Sequence, residues 1–362
     1  MQQIKFIAIY LPQFHPIQEN DTWWGKGFTE WTNVTKARPL FKKHYQPKLP
    51  SDHGFYDLRN PEVRNQQAEL ARQFGIEGFA YYHYWFNGKR LLERPFNEVL
   101  NSGEPDFPFC LFWANETWSR RWLGQEVDIL IKQEYSKEDD TSHAIYLAKA
   151  FADKRYITKE GRPLFIIYRP NDLPNVSRTI DVIKETALKE NGIEPFVVGS
   201  NSHCPYSHDL LGKGFDAVLN FRPQLGVLPH AFDDSFIKKR LIKNIRNSNA
   251  FSGSYKIYDY EEALGLMEKI EPKTFDNMLP TVFVGWDNTA RRGEKGIIIH
   301  NNYPSLFEKE LLRVKNKLMK ADKNVGFVFI NAWNEWAEGN YLEPDSLNGH
   351  AYLQAVKNVF TD

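Results

Sequence analysis

The sequence Phe327-Val-Phe-Ile330-Asn-Ala-Trp333-Asn-Glu335-Trp-Ala-Glu338-Gly339 changes abruptly from a fully apolar run to indoles, amides and carboxylates. A short, continuous apolar run is typical of a strand in a parallel sheet that is buried on both faces. Glu335 and Glu338 therefore follow the carboxyl end of a strand, where β/α barrels place their catalytic groups. Because carboxyl groups exchange protons and indoles cover the apolar faces of sugar rings, the stretch predicts acid/base chemistry on a sugar. A solvated turn is the alternative, but so many aromatic residues are costly in an exposed loop.

Seven similar apolar runs precede this one. They occupy residues 4–10, 78–85, 107–113, 163–168, 195–200, 216–221 and 281–286, and the final run covers 325–331. Most are separated by segments with helical periodicity, such as 61–74, which has a proline in its first turn and is followed by Gly75. Eight strands that alternate with helices predict a (β/α)8 TIM-type barrel. A doubly wound open sheet is the alternative, but no Gly-x-Gly-x-x-Gly fingerprint follows the first run.

The composition is that of an ordinary globular enzyme. Among the 362 residues 25% are charged, and the formal net charge is zero, so nothing indicates electrostatic capture of nucleic acid or of acidic membranes. The unusual value is the 15% of aromatic residues, which include 10 Trp and 17 Tyr. No linker or internal repeat divides the chain, which predicts one domain over residues 1–362 with long loops at 11–60, 114–136 and 222–279.

Neither a metal centre nor a membrane segment is predicted. Cys110 lies in an apolar run and is expected to pack in the core. Cys204 stands near His203 and His208, but these lack the distant pair of ligands that a zinc site needs. No apolar stretch approaches the roughly 20 residues that span a bilayer. The first apolar run is too short for a signal peptide, which predicts a cytoplasmic protein.

Polar or aromatic residues recur at the ends of the seven other predicted strands. In a barrel these ends meet at one rim, so together they predict an aromatic-walled, hydrogen-bonding cleft beside the two glutamates. Any one of them alone is more often a satisfied core group. The residues predicted to bind substrate are Tyr10, His15, Tyr82, His83, Trp85, Trp113, Asn115, Glu116, Arg169, Trp286 and Trp336.

Long motifs along the chain resemble those of a known family. They are Tyr10-Leu-Pro-Gln-Phe-His-Pro16, Trp23-Trp-Gly-x-Gly-Phe-Thr-Glu-Trp31, Tyr81-Tyr-His-Tyr-Trp-Phe86, Trp113-Ala-Asn-Glu116 and Asn331-Ala-Trp-Asn-Glu-Trp-Ala-Glu-Gly339. They resemble the WbsX-type proteins, which occur with bacterial surface-polysaccharide genes and are often labelled glycosyltransferases. The WbsX group is in turn similar to glycoside hydrolase family 99, the endo-α-mannosidases and endo-α-mannanases, through the motif Glu-Trp-x-Glu-Gly at 335–339.

The resemblance to family 99 implies a fold, a mechanism and two catalytic roles. That family folds as (β/α)8 barrels, needs no metal or other cofactor, and retains anomeric configuration through a 1,2-anhydro sugar. Glu335 would be the general base and Glu338 the general acid. Carboxylates three residues apart on a turn lie on one side of it, roughly 5–6 Å apart at Cβ. Because the acid must stay protonated near neutrality, Glu338 is expected to be the more desolvated of the two.

Alternatives remain for the mechanism and for the function. Glu116 follows an asparagine at a strand end, so a conventional retaining pair of Glu116 with Glu335 is the rival mechanism. The residues fit best an endo-acting glycosidase or transglycosylase on an oligosaccharide or polysaccharide of the bacterial surface. A nucleotide-sugar glycosyltransferase of lipopolysaccharide or O-antigen biosynthesis is the second class, and a non-catalytic glycan-binding barrel is the third. Glu343 is expected to be structural.

Overall fold

Eight parallel strands form a closed barrel. The computed structural model describes residues 4–119, 128–202, 209–229 and 256–361. The barrel strands are β1 (Lys5–Tyr10), β2 (Ile76–Phe86), β3 (Phe109–Trp113), β4 (Arg162–Ile167), β5 (Phe196–Ser200), β6 (Ala217–Asn220), β7 (Met278–Phe283) and β8 (Phe327–Asn331). Each strand pairs with the next, and β8 returns to β1 with Ile7 opposite Phe329. This closure confirms the predicted (β/α)8 barrel and rules out the open sheet.

Helices cover the outside of the barrel and also occupy its long loops. They are α1 (Gln18–Trp24), α2 (Glu30–Lys36), α3 (Pro61–Gln73), α4 (Arg94–Ser102), α5 (Lys137–Phe151), α6 (Val176–Asn191), α7 (Tyr260–Lys269), α8 (Thr289–Arg292), α9 (Pro304–Met319) and α10 (Ala351–Thr361). Local sequence explains several starts: Asn60 caps α3 ahead of Pro61, and Ser136 caps α5. Helices α1, α2 and α8 lie in the loops after β1 and β7, on the side of the predicted site. In the described ranges no helix is long and apolar enough to cross a membrane.

Short elements decorate the loops. Small antiparallel pairs join Lys89–Leu91 to β2, Thr158–Lys159 to β4, Trp118–Ser119 to Ile129–Ile131, and Asn334–Glu335 to Asn340–Tyr341. A separate three-stranded sheet contains Lys256–Asp259, Ile297–His300 and Trp286–Asp287. Single 3-10 turns occupy Pro170–Asp172, Leu211–Lys213, Leu225–Val227, Gly293–Lys295 and Trp336–Glu338. Where a helix would follow β5, the described residues form only the turn at Leu211–Lys213.

Alternation along each strand sorts the aromatic residues into two layers. Inside the barrel, Phe112 contacts Tyr82 at a ring separation of 5.2 Å and Tyr168 at 5.7 Å. Towards the helices, Tyr10 packs on Phe79 at 5.0 Å and on Tyr81 at 4.5 Å. Successive side chains of a strand point to opposite faces, so each aromatic run of the sequence supplies both layers.

One buried carboxylate holds the C-terminal turn against the barrel. Glu343 accepts hydrogen bonds from Tyr56 Oη at 2.8 Å and from Gln67 Nε2 at 2.6 Å. It also accepts from the indoles of Trp333 at 3.1 Å and Trp336 at 2.6 Å. Burial, opposed by these hydrogen bonds, raises the pKa of Glu343 to about 7. Because its four donors come from three different segments of the chain, the expected structural role of Glu343 is confirmed.

We expect Glu343→Gln to destabilise the fold. The amide would turn an NH2 group toward donors that now meet an oxygen, and unpaired buried donors cost about 1–3 kcal/mol each. Urea denaturation of the variant should therefore show a lower free energy of unfolding than the wild type. Glu69→Gln, on the exposed face of α3, is the matched control; an equal loss in both variants would contradict the role assigned to Glu343.

Candidate active site

The turn after β8 requires a glycine at position 339. Between the paired segments Asn334–Glu335 and Asn340–Tyr341, Gly339 has a φ of +60°. A β-carbon there would lie 2.8 Å from Cε of Lys48 and 3.0 Å from Cβ of Asp287. The close approach of these neighbours and the left-handed backbone explain the Glu-x-x-Glu-Gly pattern, since only glycine tolerates both.

Two buried asparagines join this turn to the ends of neighbouring strands. Asn334 accepts from the backbone N–H of Leu11 at 2.7 Å and donates to its carbonyl at 3.0 Å. Asn340 accepts from the N–H groups of Val284 at 3.0 Å and Gly285 at 3.3 Å. These bonds hold the loops after β1, β7 and β8 together, so the position of the glutamates is set by the barrel.

A single guanidinium lies among three glutamates. Arg291, on α8, donates from Nη1 to Glu338 at 2.5 Å and from Nη2 to Glu335 at 3.0 Å. It also donates to Glu30, on α2, from both Nε and Nη2. Glu30, Glu335 and Arg291 have almost fully buried side chains. The cluster brings two predicted catalytic residues together with two residues that sequence reasoning did not select.

Burial and the charges of neighbouring carboxylates raise the pKa values of both catalytic candidates. Burial, with a smaller contribution from Glu338, raises the pKa of Glu335 to about 8 although Arg291 opposes the shift. Burial likewise raises the pKa of Glu338, against Arg291, and the charges of Glu30 and Glu116 add to the rise. One cation cannot balance three carboxylates, so the pair retains a proton near neutral pH.

The expectation that Glu338 is the more desolvated glutamate is wrong. Its side chain is 22% exposed, whereas that of Glu335 is 8% exposed. Glu335 belongs to the short antiparallel pair, while Glu338 ends the 3-10 turn. The sequence spacing of the two residues carries no information on this difference.

Comparison with known proteins assigns this chain to a family. The sequence profile described as Glycosyltransferase WbsX matches residues 6–356. The chain belongs to the WbsX family. It is 41% identical over 358 residues to the protein WxcX of Xanthomonas campestris pv. campestris, in strains B100 and ATCC 33913. The match covers 98% of this chain and 49% of WxcX, so the chain spans about half the length of these relatives.

Solved structures similar to this WbsX protein are glycoside hydrolase barrels. One is the GH99 endo-alpha-mannosidase from Bacteroides thetaiotaomicron, with a TM-score of 0.58 and 13% identity over 100% of this chain and 98% of the other. Another, described as a glycoside hydrolase-like protein, has a TM-score of 0.60 and 15% identity, and covers 99% of this chain and 94% of the other. At such identities the likeness establishes the fold alone.

Three tyrosines and a second ion pair lie around the glutamates. The phenol of half-buried Tyr82 interacts electrostatically with both Glu335 and Glu338. Tyr84 lies near Glu335, Glu30 and Arg291, and Tyr168 lies near Glu116 and Glu338. Of the predicted substrate-binding residues, Tyr82, Glu116 and Arg169 are thus placed with the catalytic pair. Glu116 is bound by Arg169, whose Nε donates to it at 2.5 Å.

Four predicted substrate-binding residues of this WbsX protein lie on the helix side of the barrel, so the prediction that they line the cleft is wrong. Tyr10 donates to Gln67 of α3 at 2.7 Å. His83 shares a hydrogen bond of 2.9 Å with His143 of α5, Trp85 donates to Asp139 at 2.8 Å, and the ring of Trp113 lies 4.5 Å from that of His143. Register explains the error, because Tyr10 pairs with Tyr81 and His83 with Trp113 at outward-facing positions.

Two more of the predicted substrate-binding residues, Asn115 and Trp336, are engaged in structural contacts. Asn115 accepts from the backbone N–H of Arg169 at 2.7 Å and donates to its carbonyl at 2.9 Å, which joins the loops after β3 and β4. Trp336 is buried, with its ring 3.8 Å from that of Tyr341 and its indole N–H bound to Glu343. Neither side chain is available to stack on or bind a sugar.

His15 has other charged neighbours than the glutamates, whereas Trp286 lies on a short strand that contacts the turn carrying Glu338. His15 is buried beside the carbonyl of Pro12, and burial lowers its pKa to about 4. Its charged neighbours are Asp57, Arg59 and Arg94 rather than the glutamates. Trp286 is half-buried and packs with the apolar cluster of α7 and the three-stranded sheet.

Nothing in the described ranges forms a metal centre. Within them no group of three or more His, Cys, Asp or Glu side chains is arranged to hold a metal ion. The segment 203–208, which contains Cys204, lies outside the described residues. Cys110 is buried in the core as expected.

The sequence contains signals for the site residues that were not predicted, which are Tyr84, Arg291 and Glu30. Tyr84 lies two positions after Tyr82 on the same strand, so alternation alone assigns both to the barrel interior. Arg291 follows the seventh strand, and Glu30 lies in a long motif of the first loop. Their convergence with Glu335 depends on contacts between residues 261 positions apart, which no local pattern encodes.

We expect Arg291→Met to destabilise the protein strongly at pH 8 and weakly at pH 5. The variant leaves three buried carboxylates without their cation, and breaking a buried ion pair in this way costs about 3–5 kcal/mol. Arg291 lowers the pKa of Glu335 and Glu338, so without it both take up protons in the folded state and the loss shrinks at low pH. Urea denaturation at the two pH values measures the difference.

The matched control is Arg292→Met, which removes a neighbouring guanidinium that makes none of these ion pairs. It should change stability little, and equally at both pH values. A loss in Arg291→Met that is independent of pH would contradict the electrostatic role of the arginine.

Proposed function

We propose that this WbsX protein is a retaining, endo-acting glycosidase or transglycosylase of a bacterial surface polysaccharide, with Glu335 and Glu338 as its catalytic pair. The observation that carries the proposal is the placement of both carboxyl groups on one turn, bound to one arginine at the carboxyl end of the barrel. The WbsX profile and the glycoside hydrolase-like fold support a carbohydrate-active enzyme.

A pair on one turn favours catalysis assisted by the substrate. The usual retaining pair lies on opposite faces of the sugar, with carboxyl groups about 5–5.5 Å apart and one of them attacking the anomeric carbon. Glu335 and Glu338 approach from the same side. They suit a reaction in which the sugar's own O2 is the nucleophile and each glutamate moves one proton.

In the first step Glu335 takes the proton of the 2-hydroxyl as O2 attacks C1. The bond from C1 to the leaving oxygen breaks, and that oxygen takes its proton from Glu338. The product is a 1,2-anhydro sugar. In the second step Glu338, now a carboxylate, accepts a proton from water as the water attacks C1. The C1–O2 bond breaks, and Glu335 returns its proton to O2. Two inversions restore the configuration, and a sugar hydroxyl in place of water would give transfer.

The burial of Glu335 suits the role of base. A sugar hydroxyl is a weak acid, and a carboxylate whose pKa is raised by burial is a stronger base than an exposed one. Glu338 is the more exposed of the two, which suits the acid that meets the leaving group of an internal glycosidic bond. The proton that the pair retains must be on Glu338 in the reactive complex, although burial favours Glu335 as its holder before substrate binds.

The rival pair of Glu116 with Glu335 is less well supported. Arg169 binds Glu116 as closely as Arg291 binds Glu338. The side chain of Glu116 is 35% exposed and that of Glu338 is 22% exposed, so Glu116 is the less desolvated of the two. The nucleotide-sugar transferase is favoured by the family's description alone. Transferases of this kind often hold a metal with two nearby aspartates, but the adjacent Asp139 and Asp140 of this chain bind Trp85 and Arg178 within the helix layer.

Substrate assays separate the function classes. The protein is incubated with intact bacterial surface glycans and, separately, with sugar nucleotides. The proposal expects shortened or transferred oligosaccharide from the glycans and no nucleoside diphosphate. Release of nucleoside diphosphate would establish the nucleotide-sugar transferase, and binding without turnover would establish the glycan-binding barrel.

We expect Glu335→Gln and Glu338→Gln each to keep the fold and lose activity, because an amide keeps the shape but cannot exchange the proton. A glycosyl fluoride needs no protonation of its leaving group, so it should restore turnover to Glu338→Gln far more than to Glu335→Gln. The measurement is fluoride release by the two variants. Equal rescue, or rescue of Glu335→Gln alone, would reverse the roles.

A 2-deoxy substrate should not react with the wild type, because it lacks the nucleophile O2. The same substrate with its 2-hydroxyl present is the control. Turnover of the 2-deoxy sugar, with a glycosyl ester trapped on Glu116 or Glu335, would instead establish an ordinary double displacement.

The pH dependence of kcat/KM should be bell-shaped, with its alkaline limb near pH 8. The active form holds one proton between Glu335 and Glu338. Since the pKa of Glu335 is raised to about 8, that proton is lost as the pH rises through this value, and at low pH a second proton neutralises the base. Initial rates at low substrate concentration give the profile. An alkaline limb at the ordinary pKa of glutamate, near 4.3, would contradict a coupled, desolvated pair.

A further inference from the structure

Glu30 is a fully buried carboxylate that takes no part in the proposed reaction. It starts α2 in the loop after β1, and its side chain is 0% exposed. One oxygen, Oε1, accepts from Nε of Arg291 at 3.1 Å and also from Nη2. The other oxygen, Oε2, has no hydrogen-bond partner among the residues that the structure describes. A buried, half-satisfied carboxylate is costly, and a neutral side chain would cost less.

Arg291 shares its hydrogen bonds unequally among the three glutamates around it. Two of its nitrogens, Nε and Nη2, donate to Glu30, and Nη1 donates to Glu338. Glu335 is bound by the Nη2 group that Glu30 also shares, at 3.0 Å. Glu30 therefore takes two of these four hydrogen bonds, as many as Glu335 and Glu338 take together.

We propose that Glu30 is a positioning residue that keeps one proton on the Glu335–Glu338 pair by sharing the guanidinium of Arg291 with them and by adding its own negative charge. The proposal rests on the proposed function of that pair as acid and base. With Glu30 neutral, the charge of Arg291 would act on Glu335 and Glu338 alone and favour the ionised form of both, which leaves no proton for the departing oxygen.

Among the other groups around the pair, Glu116 also raises the pKa of Glu338, but its ion pair is with Arg169. The titratable and charged groups that face it are Glu30, Tyr82, Tyr84, Glu116, Tyr168 and Arg291. Burial raises the pKa of each tyrosine, so all three are neutral near pH 7. The charge of Glu116 is balanced by Arg169. Glu30 is the remaining negative charge that both competes for Arg291 and repels the pair.

The sign of the effect follows from these contacts. Glu30 raises the pKa of both Glu335 and Glu338 by repulsion, and Arg291 lowers both. Removing the charge of Glu30 ends the repulsion and frees the guanidinium, and each change favours the ionised pair. The proton should therefore leave at a lower pH in Glu30→Gln than in the wild type.

Carboxyl titration tests the proposal without reference to activity. The protein is labelled with ¹³C at glutamate carboxyls, and the signals are assigned with Glu335→Gln and Glu338→Gln. In Glu30→Gln the highest titration midpoint of the pair should fall by about one pH unit or more, which is a tenfold change in the proton equilibrium. Glu294→Gln, an exposed substitution three residues from Arg291, should leave the midpoint unchanged. An unchanged midpoint in folded Glu30→Gln would overturn the proposal.

A shorter carboxylate provides the second variant. Glu30→Asp keeps the charge but withdraws it from Arg291 by one methylene, so the midpoint should fall in the same direction by a smaller amount. If Glu30→Gln does not fold by circular dichroism, this variant decides, and an unchanged midpoint in folded Glu30→Asp overturns the proposal.

The activity profile provides the readout that a merely structural residue would not change. With a glycan that the wild type cleaves, kcat/KM of Glu30→Gln should fall about tenfold or more at pH 8 relative to pH 6, as the alkaline limb moves to lower pH. An equal loss at every pH would show that Glu30 only supports the fold. If the wild type cleaves no glycan, the proposed function fails, while the carboxyl titration still decides the role of Glu30.

Discussion

The site depends on one guanidinium among three carboxylates. Arg291 comes from the loop after β7, Glu30 from the loop after β1, and Glu335 and Glu338 from the turn after β8. Because all four groups are largely withdrawn from water, each charge is stable only in the presence of the others. The arginine thus joins three loops mechanically and also sets how much negative charge the pair can carry.

Away from the glutamates, the aromatic content of the chain serves mainly to build the barrel. Its outer layer packs His83, Trp85 and Trp113 against His143 of α5. The two tryptophans beside the catalytic motif, Trp333 and Trp336, donate to Glu343 and lie beneath the turn. The indoles therefore stabilise the turn that carries the glutamates. Tyrosines of β2 and of the loop after β4 face the glutamates themselves.

In the proposed reaction the same pair of glutamates would serve hydrolysis and transfer, since the two outcomes would differ only in the hydroxyl that opens the 1,2-anhydro sugar. A family described by transfer and a fold similar to glycoside hydrolases are therefore not in conflict. Which acceptor is used depends on the groups that bind it beyond the anomeric carbon. The charges around the turn matter before an acceptor is used, because proposed hydrolysis and proposed transfer both need one proton on the Glu335–Glu338 pair.

Sequence by itself determined the architecture and the position of the catalytic turn. Continuous apolar runs encode burial on both faces, and helical periodicity encodes the covering layer, so eight strands and the place of Glu335 and Glu338 could be predicted locally. Only the tertiary structure decided which side chains at the strand ends share a space. Tyr82 and His83 are adjacent in sequence, yet the pleat sends one toward the glutamates and the other toward α5. The relative burial of Glu335 and Glu338 and the contact of Glu30 with Arg291 arise from closure of the barrel, which brings distant loops together and removes their charges from water.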